Sequence, residues 1–192
     1  MAERTLIVSC VATSLILLSG GLDSATALAA ATRDGASPSG LFIMYGQAAE
    51  RAERQAAAAI ADYYSVSLET LTVTGRRFGE GEIRGRNAFL IHGALLAAEP
   101  GPTTMILGIH AGTGYVDCTP EFVGLMQRSL AFHTGGEVTL AAPFVDFSKG
   151  DVYALARKLH VPVELTYSCE RGGEPCGECL SCRDRELLSA FT

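Results

Sequence analysis

SLILLSGGLDSATALAA, residues 14–30, decides the fold. Its opening SLILL (14–18) is an apolar run of strand length, and the alanine-rich segment from Asp23 onward reads as a helix. Between them stand Ser19, Gly20, Gly21, Leu22, Asp23 and Ser24. Glycines at a strand–helix junction let the backbone come close to a bound group. The helix start supplies unpaired N–H groups and the positive end of the dipole, so the turn suits phosphate oxygens. The hydroxyls of Ser19 and Ser24 add donors. The string is neither Gly-x-x-x-x-Gly-Lys-Ser/Thr nor Gly-x-Gly-x-x-Gly, which sets it apart from the two commonest nucleotide loops.

Outward from this turn, strand-like and helix-like segments alternate. GLFIMYG (40–46) reads as a second strand, 47–64 as a helix with charges on one side and alanines on the other, and SLETLTV (67–73) as a third strand. A glycine- and charge-rich loop (75–86) leads to a helix over 87–99, and TMILGI (104–109) is a fourth strand. A helix opens with Pro120 in its first turn. EVTLAAP (137–143) is a fifth strand, and Ser148 with Asp151 starts a further helix at capping-box spacing. Such alternation implies an α/β fold, a doubly wound and mostly parallel sheet covered on both faces. Ligands are expected at the carboxyl ends of its strands.

The 192 residues suit one domain with a small appendage, and a net charge of −6 opposes a general attraction to nucleic acid or anionic membrane. Residues 5–18 are mildly apolar, but Ser9, Thr13 and Ser14 interrupt them and they run straight into the glycine turn. They read as strand with a lead-in rather than as a leader peptide or a span, in a cytoplasmic protein. Cys10 and Cys118 stand apart, the latter reading as a small buried residue. Cys169, Cys176, Cys179 and Cys182 follow Cys-x6-Cys-x2-Cys-x2-Cys, with Gly172, Gly173 and Gly177 between them. Four thiolates satisfy a tetrahedral Zn2+ in a structural site, and an iron–sulfur cluster is the rival occupant.

Ser-Gly-Gly-Leu-Asp-Ser resembles the pyrophosphate (PP) loop of the N-type ATP pyrophosphatases. Paired with the C-terminal cysteines, it resembles the 7-cyano-7-deazaguanine synthase (QueC) family. Tyr45-Gly46-Gln47 is similar to that family's Tyr-x-Gln, Gly85-Arg86-Asn87 to its Pro-Gly-Arg-Asn, and Gly114 to Cys118 with Glu121-Phe122 to its Gly-Tyr-Pro-Asp-Cys…Glu-Phe. The segment 147–159 resembles its Asn-Lys helix start. The resemblance implies an adenine nucleotide alpha hydrolase-like fold, with an ATP-binding domain over residues 1–165 and a zinc-binding segment over 166–192 packed on it. It also implies ATP and Mg2+ as cofactors.

By the same resemblance, residues 19–24 with Tyr45 and Gln47 hold the nucleotide, and Asp23 shares Mg2+ with it. Arg86, Asn87, Tyr115 and Asp117 meet the second substrate. Asp117 would accept from a guanine-like N1–H and amine, and Tyr115 would stack on the ring. Asp23, Arg86 and Lys149 carry the chemistry. The implied reaction is an ATP-dependent carbon–nitrogen ligation. The carboxylate of 7-carboxy-7-deazaguanine is adenylated, and ammonia gives an amide that a second activation converts to 7-cyano-7-deazaguanine (preQ0), in a homodimer.

The chain departs from the family at Val116 and Arg84, where proline is usual, at Ala48-Ala49, where Arg-His is common, and in a shortened loop over 108–114. These positions surround the second-substrate side. They leave room for a paralogue from an antiviral defence system that passes the activated acyl group to a protein amine. A non-catalytic, zinc-stapled nucleotide-binding module is a third reading. A tRNA-modifying thiolase is a fourth, weakened by the lack of a basic tract.

Overall fold

Leucine, isoleucine and phenylalanine fill consecutive positions in the first two strands, a composition that only a sheet buried on both faces can accommodate. In the computed structural model, which describes residues 13–33, 37–98, 100 and 103–189, that sheet has five strands in the order β3-β2-β1-β4-β5. They are β1 (Thr13–Leu17), β2 (Ser39–Met44), β3 (Leu68–Thr72), β4 (Thr103–Ile106) and β5 (Val138–Ala141), and all four pairings are parallel. The lead-in expected over residues 5–12, and Cys10 with it, lies outside the described residues.

Among the described residues, six helices connect and follow the strands: α1 (Leu22–Arg33), α2 (Glu50–Tyr64), α3 (Arg86–Ala97), α4 (Pro120–Thr134), α5 (Lys149–Lys158) and α6 (Leu180–Ser189). The two faces separate by strict alternation. Leu15, Leu17, Leu41 and Ile43 point to the side where Ile91 and Ala94 of α3 and Leu130 of α4 pack. Ile16, Leu18 and Phe42 point to the other, against Leu28 of α1, Ile60 of α2 and Ala156 of α5. Each of these fully buried large side chains contributes about 1.5–3 kcal/mol over its exposed state. This is the doubly wound α/β architecture expected. Its strand order reverses direction at β1, so a crevice opens between the ends of β1 and β4.

Differences from the sequence reading are local and have causes. α2 begins at Glu50, three residues late, because the Gln47 side chain bonds the turn before it: Oε1 accepts from the Tyr45 N–H at 2.9 Å and Nε2 donates to the Ile43 carbonyl at 3.2 Å. β4 stops at Ile106, since the chain turns at Leu107–Ile109 as Gly108 passes the backbone of Asp23. A Cβ on Gly108 would lie 2.9 Å from the Asp23 carbonyl carbon. The Ser148–Asp151 capping box forms as its spacing implied, which fixes the start of α5. α6 and the 3-10 turns Ala111–Thr113 and Val163–Leu165 have no counterpart in the sequence pattern.

Candidate active site

The turn at 19–24 is held by its own hydroxyls and by two distant segments. Gly20 adopts φ +83°, and a Cβ there would sit 2.4 Å from the Glu53 carbonyl oxygen, so only glycine fits between β1 and α2. Gly21 has no such requirement: its nearest neighbours to an added Cβ are 3.5 and 3.7 Å away. The Ser24 hydroxyl donates to the Gly21 carbonyl at 3.0 Å and lies 3.2 Å from the Ser19 hydroxyl. The Gly20 carbonyl accepts from the Tyr167 N–H at 2.9 Å, which ties the turn to the C-terminal segment. By helix geometry the first-turn amides of α1, around Leu22 and Asp23, have no intrahelical acceptor and face the cleft end.

Asp23, in the first turn of α1, meets Lys149, the first residue of α5, through both carboxylate oxygens at 2.8 and 2.7 Å. The pair is separated by 126 positions in sequence and is about one quarter exposed on each side. His110 follows β4 and is 5% exposed. Its Nε2 lies 3.7 Å from Asp23 Oδ2, and its Nδ1 accepts from the Gly112 N–H at 3.1 Å. Burial pushes the His110 pKa below the usual imidazole range, Asp23 opposes that shift and Lys149 adds to it. Burial thus favours the neutral ring, and because Nδ1 is an acceptor its hydrogen lies on Nε2, facing Asp23.

Three clefts meet at Asp23, and Lys149 lines two of them. One, of about 270 Å³, runs between the 19–24 turn and the C-terminal segment, past Lys149, Tyr167 and Arg185. A second, of about 230 Å³, lies over the ends of β1, β2 and β4 and is walled by Phe42, Ile43 and Leu107. The third, of about 240 Å³, lies beyond β4 and is lined by His110, Tyr115, Cys118, Glu170 and Asp184. Asp23 and Arg86 line all three.

The other expected site residues divide by what engages them. Arg86, at the start of α3, faces every cleft. Asn87 is only 2% exposed; its Nδ2 donates to the Asp117 carbonyl at 3.1 Å, and its backbone N–H lies 3.4 Å from Asp117 Oδ2. The Asp117 carboxylate thus faces the start of α3, in a recess of only about 20 Å³ shared with Arg86 and Tyr115. Tyr115 also lines the third cleft. Tyr45 packs on Phe78 and Phe89 with ring centroids 6.0 and 5.9 Å away, and burial raises its pKa while Arg86 beside it lowers it. Gln47 is buried and fully occupied, its Nε2 also donating to Glu53 Oε2 at 3.0 Å. Burial pushes the Cys118 thiol up, which disfavours a thiolate nucleophile there.

Sequence reasoning missed Glu53, whose carboxyl lines the first two clefts and whose pKa burial raises against the hydrogen bond from Gln47. It also missed Glu170, Ser181, Asp184 and Arg185. Arg185 donates to the carbonyls of Thr166 and Val163, each at 2.8 Å, and Glu170 accepts from the Ser181 hydroxyl at 2.9 Å.

The Sγ atoms of Cys169, Cys176, Cys179 and Cys182 all lie within 4.8 Å of one another. A tetrahedral ion with bonds of about 2.3 Å sets its sulfurs roughly 3.8 Å apart, and Cys176 and Cys182 stand at 3.9 Å. An iron–sulfur cluster would interpose several atoms and spread the thiolates further, so the arrangement fits one ion. The Cys179 N–H donates to Cys176 Sγ at 3.4 Å. Burial acts against ionisation of Cys169, yet N–H groups of Arg171 and Cys176 outweigh it and draw the thiol to about 6, whereas burial pushes Cys182 up to about 12. Four thiols this close ionise together only around a cation.

The family described as Queuosine biosynthesis protein QueC matches this chain over residues 13–82 and 75–191. The chain belongs to the QueC family. Among QueC-type relatives, the 7-cyano-7-deazaguanine synthase of Parasynechococcus marenigrum is 37% identical over 206 aligned positions, covering 91% of each chain. Those of Oceanobacillus iheyensis and Methanoculleus marisnigri are 37% and 35% identical, covering 90% of this chain and 90% and 91% of their own. Among solved structures, NMN synthetase from Francisella tularensis superposes with a TM-score of 0.54 at 17% identity, over 94% of this chain and 76% of that one. That likeness establishes the fold alone. Among the described residues, no helix is long and apolar enough to cross a membrane.

Proposed function

We propose that this QueC-family chain is a cytoplasmic ATP-dependent carbon–nitrogen ligase that adenylates the carboxylate of 7-carboxy-7-deazaguanine and, with ammonia, makes 7-cyano-7-deazaguanine through the amide. The observation that carries the reading is the Asp23–Lys149 pair at the mouth of the 19–24 turn, where three clefts share Asp23 and Arg86 and two of them also reach Lys149. The turn and its first-turn amides hold the outer phosphates. Tyr45 and the ends of β1 and β2 shelter the nucleoside, with Gln47 bracing the strand end and Glu53. Arg86 and Lys149 balance charge as a carboxylate oxygen attacks the α-phosphorus and pyrophosphate leaves.

Ammonia then attacks the acyl carbon and AMP leaves. A second ATP activates the amide oxygen, and loss of AMP with the nitrogen's protons gives the nitrile. No side chain forms a covalent intermediate, and catalysis rests on positioning and charge stabilisation. Asp23, a carboxylate at the phosphate end, suits Mg2+. The four cysteines suit one structural Zn2+. In this reading Asn87 and Asp117 brace one another until the ring of the substrate reaches Asp117, with Tyr115 alongside. Mass analysis after incubation with ATP, Mg2+, the carboxylic acid and ammonium is expected to show amide and nitrile with AMP. Nucleotide binding with no AMP or pyrophosphate would instead mark a non-catalytic module.

A second reading, transfer of the activated acyl group to a protein amine, is favoured by one feature. Val116, where the family has proline, is 82% exposed beside the third cleft, whose Glu170 and Asp184 suit a cationic amine. A homodimer is proposed through the face of α3 and α4, where Leu96 and Phe132 are 84% and 85% exposed and Phe89 and Leu125 join them. Leu96→Glu with Phe132→Glu is expected to halve the mass in solution by sedimentation; an unchanged mass places the contact elsewhere.

A further inference from the structure

His110 is buried to a degree that its place at a strand end does not require, and both of its ring nitrogens are directed. Nδ1 takes the Gly112 N–H and so closes the 3-10 turn Ala111–Thr113. That turn is clamped to the segment entering α5. The Ala111 N–H donates to the Phe147 carbonyl at 3.0 Å, and a Cβ on Gly112 would lie 3.2 Å from the Lys149 nitrogen. The imidazole therefore keeps a fixed place relative to the backbone of Lys149. Asp23 is fixed from the other side, because Gly108 packs against its main chain.

The Asp23 carboxylate lies between the two. As the molecule stands, both of its oxygens are taken by the Lys149 ammonium. In the reaction proposed above, on which this inference rests, Lys149 turns toward a phosphate oxygen. Asp23 would then lose both charge-assisted bonds at the moment its direction matters most, a costly state for a partly buried carboxylate. His110 Nε2 stands 3.7 Å from Oδ2, roughly 0.7 Å beyond the usual separation of about 3.0 Å for such a bond. A small rotation of the carboxylate closes it.

We propose that His110 is a positioning residue for Asp23: its Nε2–H takes over the carboxylate oxygen that Lys149 releases to the nucleotide, and so holds Asp23 toward the phosphates. The exchange needs only a hydrogen on Nε2, which the ring carries because Nδ1 is an acceptor.

Two substitutions separate this role from that of a turn cap. Asparagine reproduces the Nδ1 acceptor for Gly112 but falls short of Asp23, whereas glutamine places an amide N–H where Nε2 was and loses the cap. For pyrophosphate release, His110→Asn is expected to lower kcat about tenfold with KM for ATP within about twofold, a size typical of an outer partner of a ligating group. His110→Gln is expected to keep at least about half of kcat. Melting temperatures and calorimetric ATP binding without added Mg2+ check that each variant is folded and binds nucleotide. Wild-type kcat in His110→Asn, or equal losses in the two variants, would overturn the role. Asp23→Asn serves as the control: if it too turns over normally, the reading of the phosphate end fails, whereas if it alone is inactive, only the role of His110 fails.

Discussion

Asp23→Asn is expected to lower pyrophosphate release by about 10³-fold, the upper range for loss of one preorganised electrostatic group and about 4 kcal/mol of barrier. The substitution removes the negative charge while keeping the shape. Lys149, whose ammonium both Asp23 oxygens hold at 2.7–2.8 Å, loses the partner that aims it across the mouth of the turn. Stability should barely change, since a partly exposed ion pair contributes only about 0–1 kcal/mol. A large fall in turnover with a small fall in melting temperature is thus the combined signature. Steady-state kinetics beside a thermal melt reads both, and a variant with unimpaired turnover removes Asp23 from the chemistry.

Loss of the ion at the four cysteines has the second largest expected effect. Cys169 lines the same cleft as Asp23 and Lys149, and two residues earlier Tyr167 holds the Gly20 carbonyl. Arg171 reaches from the cysteine segment to Glu80 at 2.6 Å, and Gly172 passes so close to the Ala48 carbonyl that a Cβ would lie 2.7 Å from it. In the function proposed above, the segment is therefore a wall of the nucleotide cleft as well as a knuckle around an ion. Cys179→Ser, or treatment with a strong chelator, should lower the melting temperature by on the order of 10 °C. It should also weaken ATP binding about tenfold, because the phosphate-type turn loses the Tyr167 tie. One zinc per chain is the expected metal content; iron with a brown colour would contradict the single-ion reading.

The sequence carried the frame of the molecule because its signals there are local. The apolar run 14–18, the glycine turn and the cysteine spacing each act within a few residues, and the capping box at Ser148 and Asp151 forms as written. What escaped depends on distant pairing. Glu53 belongs to a helix whose charges read as a solvated face; only the approach of its carbonyl to Gly20 and the Gln47 bond turn that residue toward the clefts. The burial of His110 follows from Gly108 and Gly112 packing against α1 and α5, which no periodicity reveals. Asp117 meets Asn87 across 30 positions, so a loop aspartate proved to be a brace for a helix start. In residues 180–189 the cysteine pattern masked a helix that carries Asp184 and Arg185 to the cleft.

The central claim is that a carboxylate oxygen reaches the α-phosphorus of a nucleotide whose outer phosphates rest on residues 19–24. Its most direct test is turnover of 7-carboxy-7-deazaguanine labelled with 18O in the carboxyl group. Mass spectrometry of the released nucleotide is predicted to find AMP carrying one label from the acid and pyrophosphate carrying none. Label-free AMP, or ADP with labelled phosphate, would contradict the account.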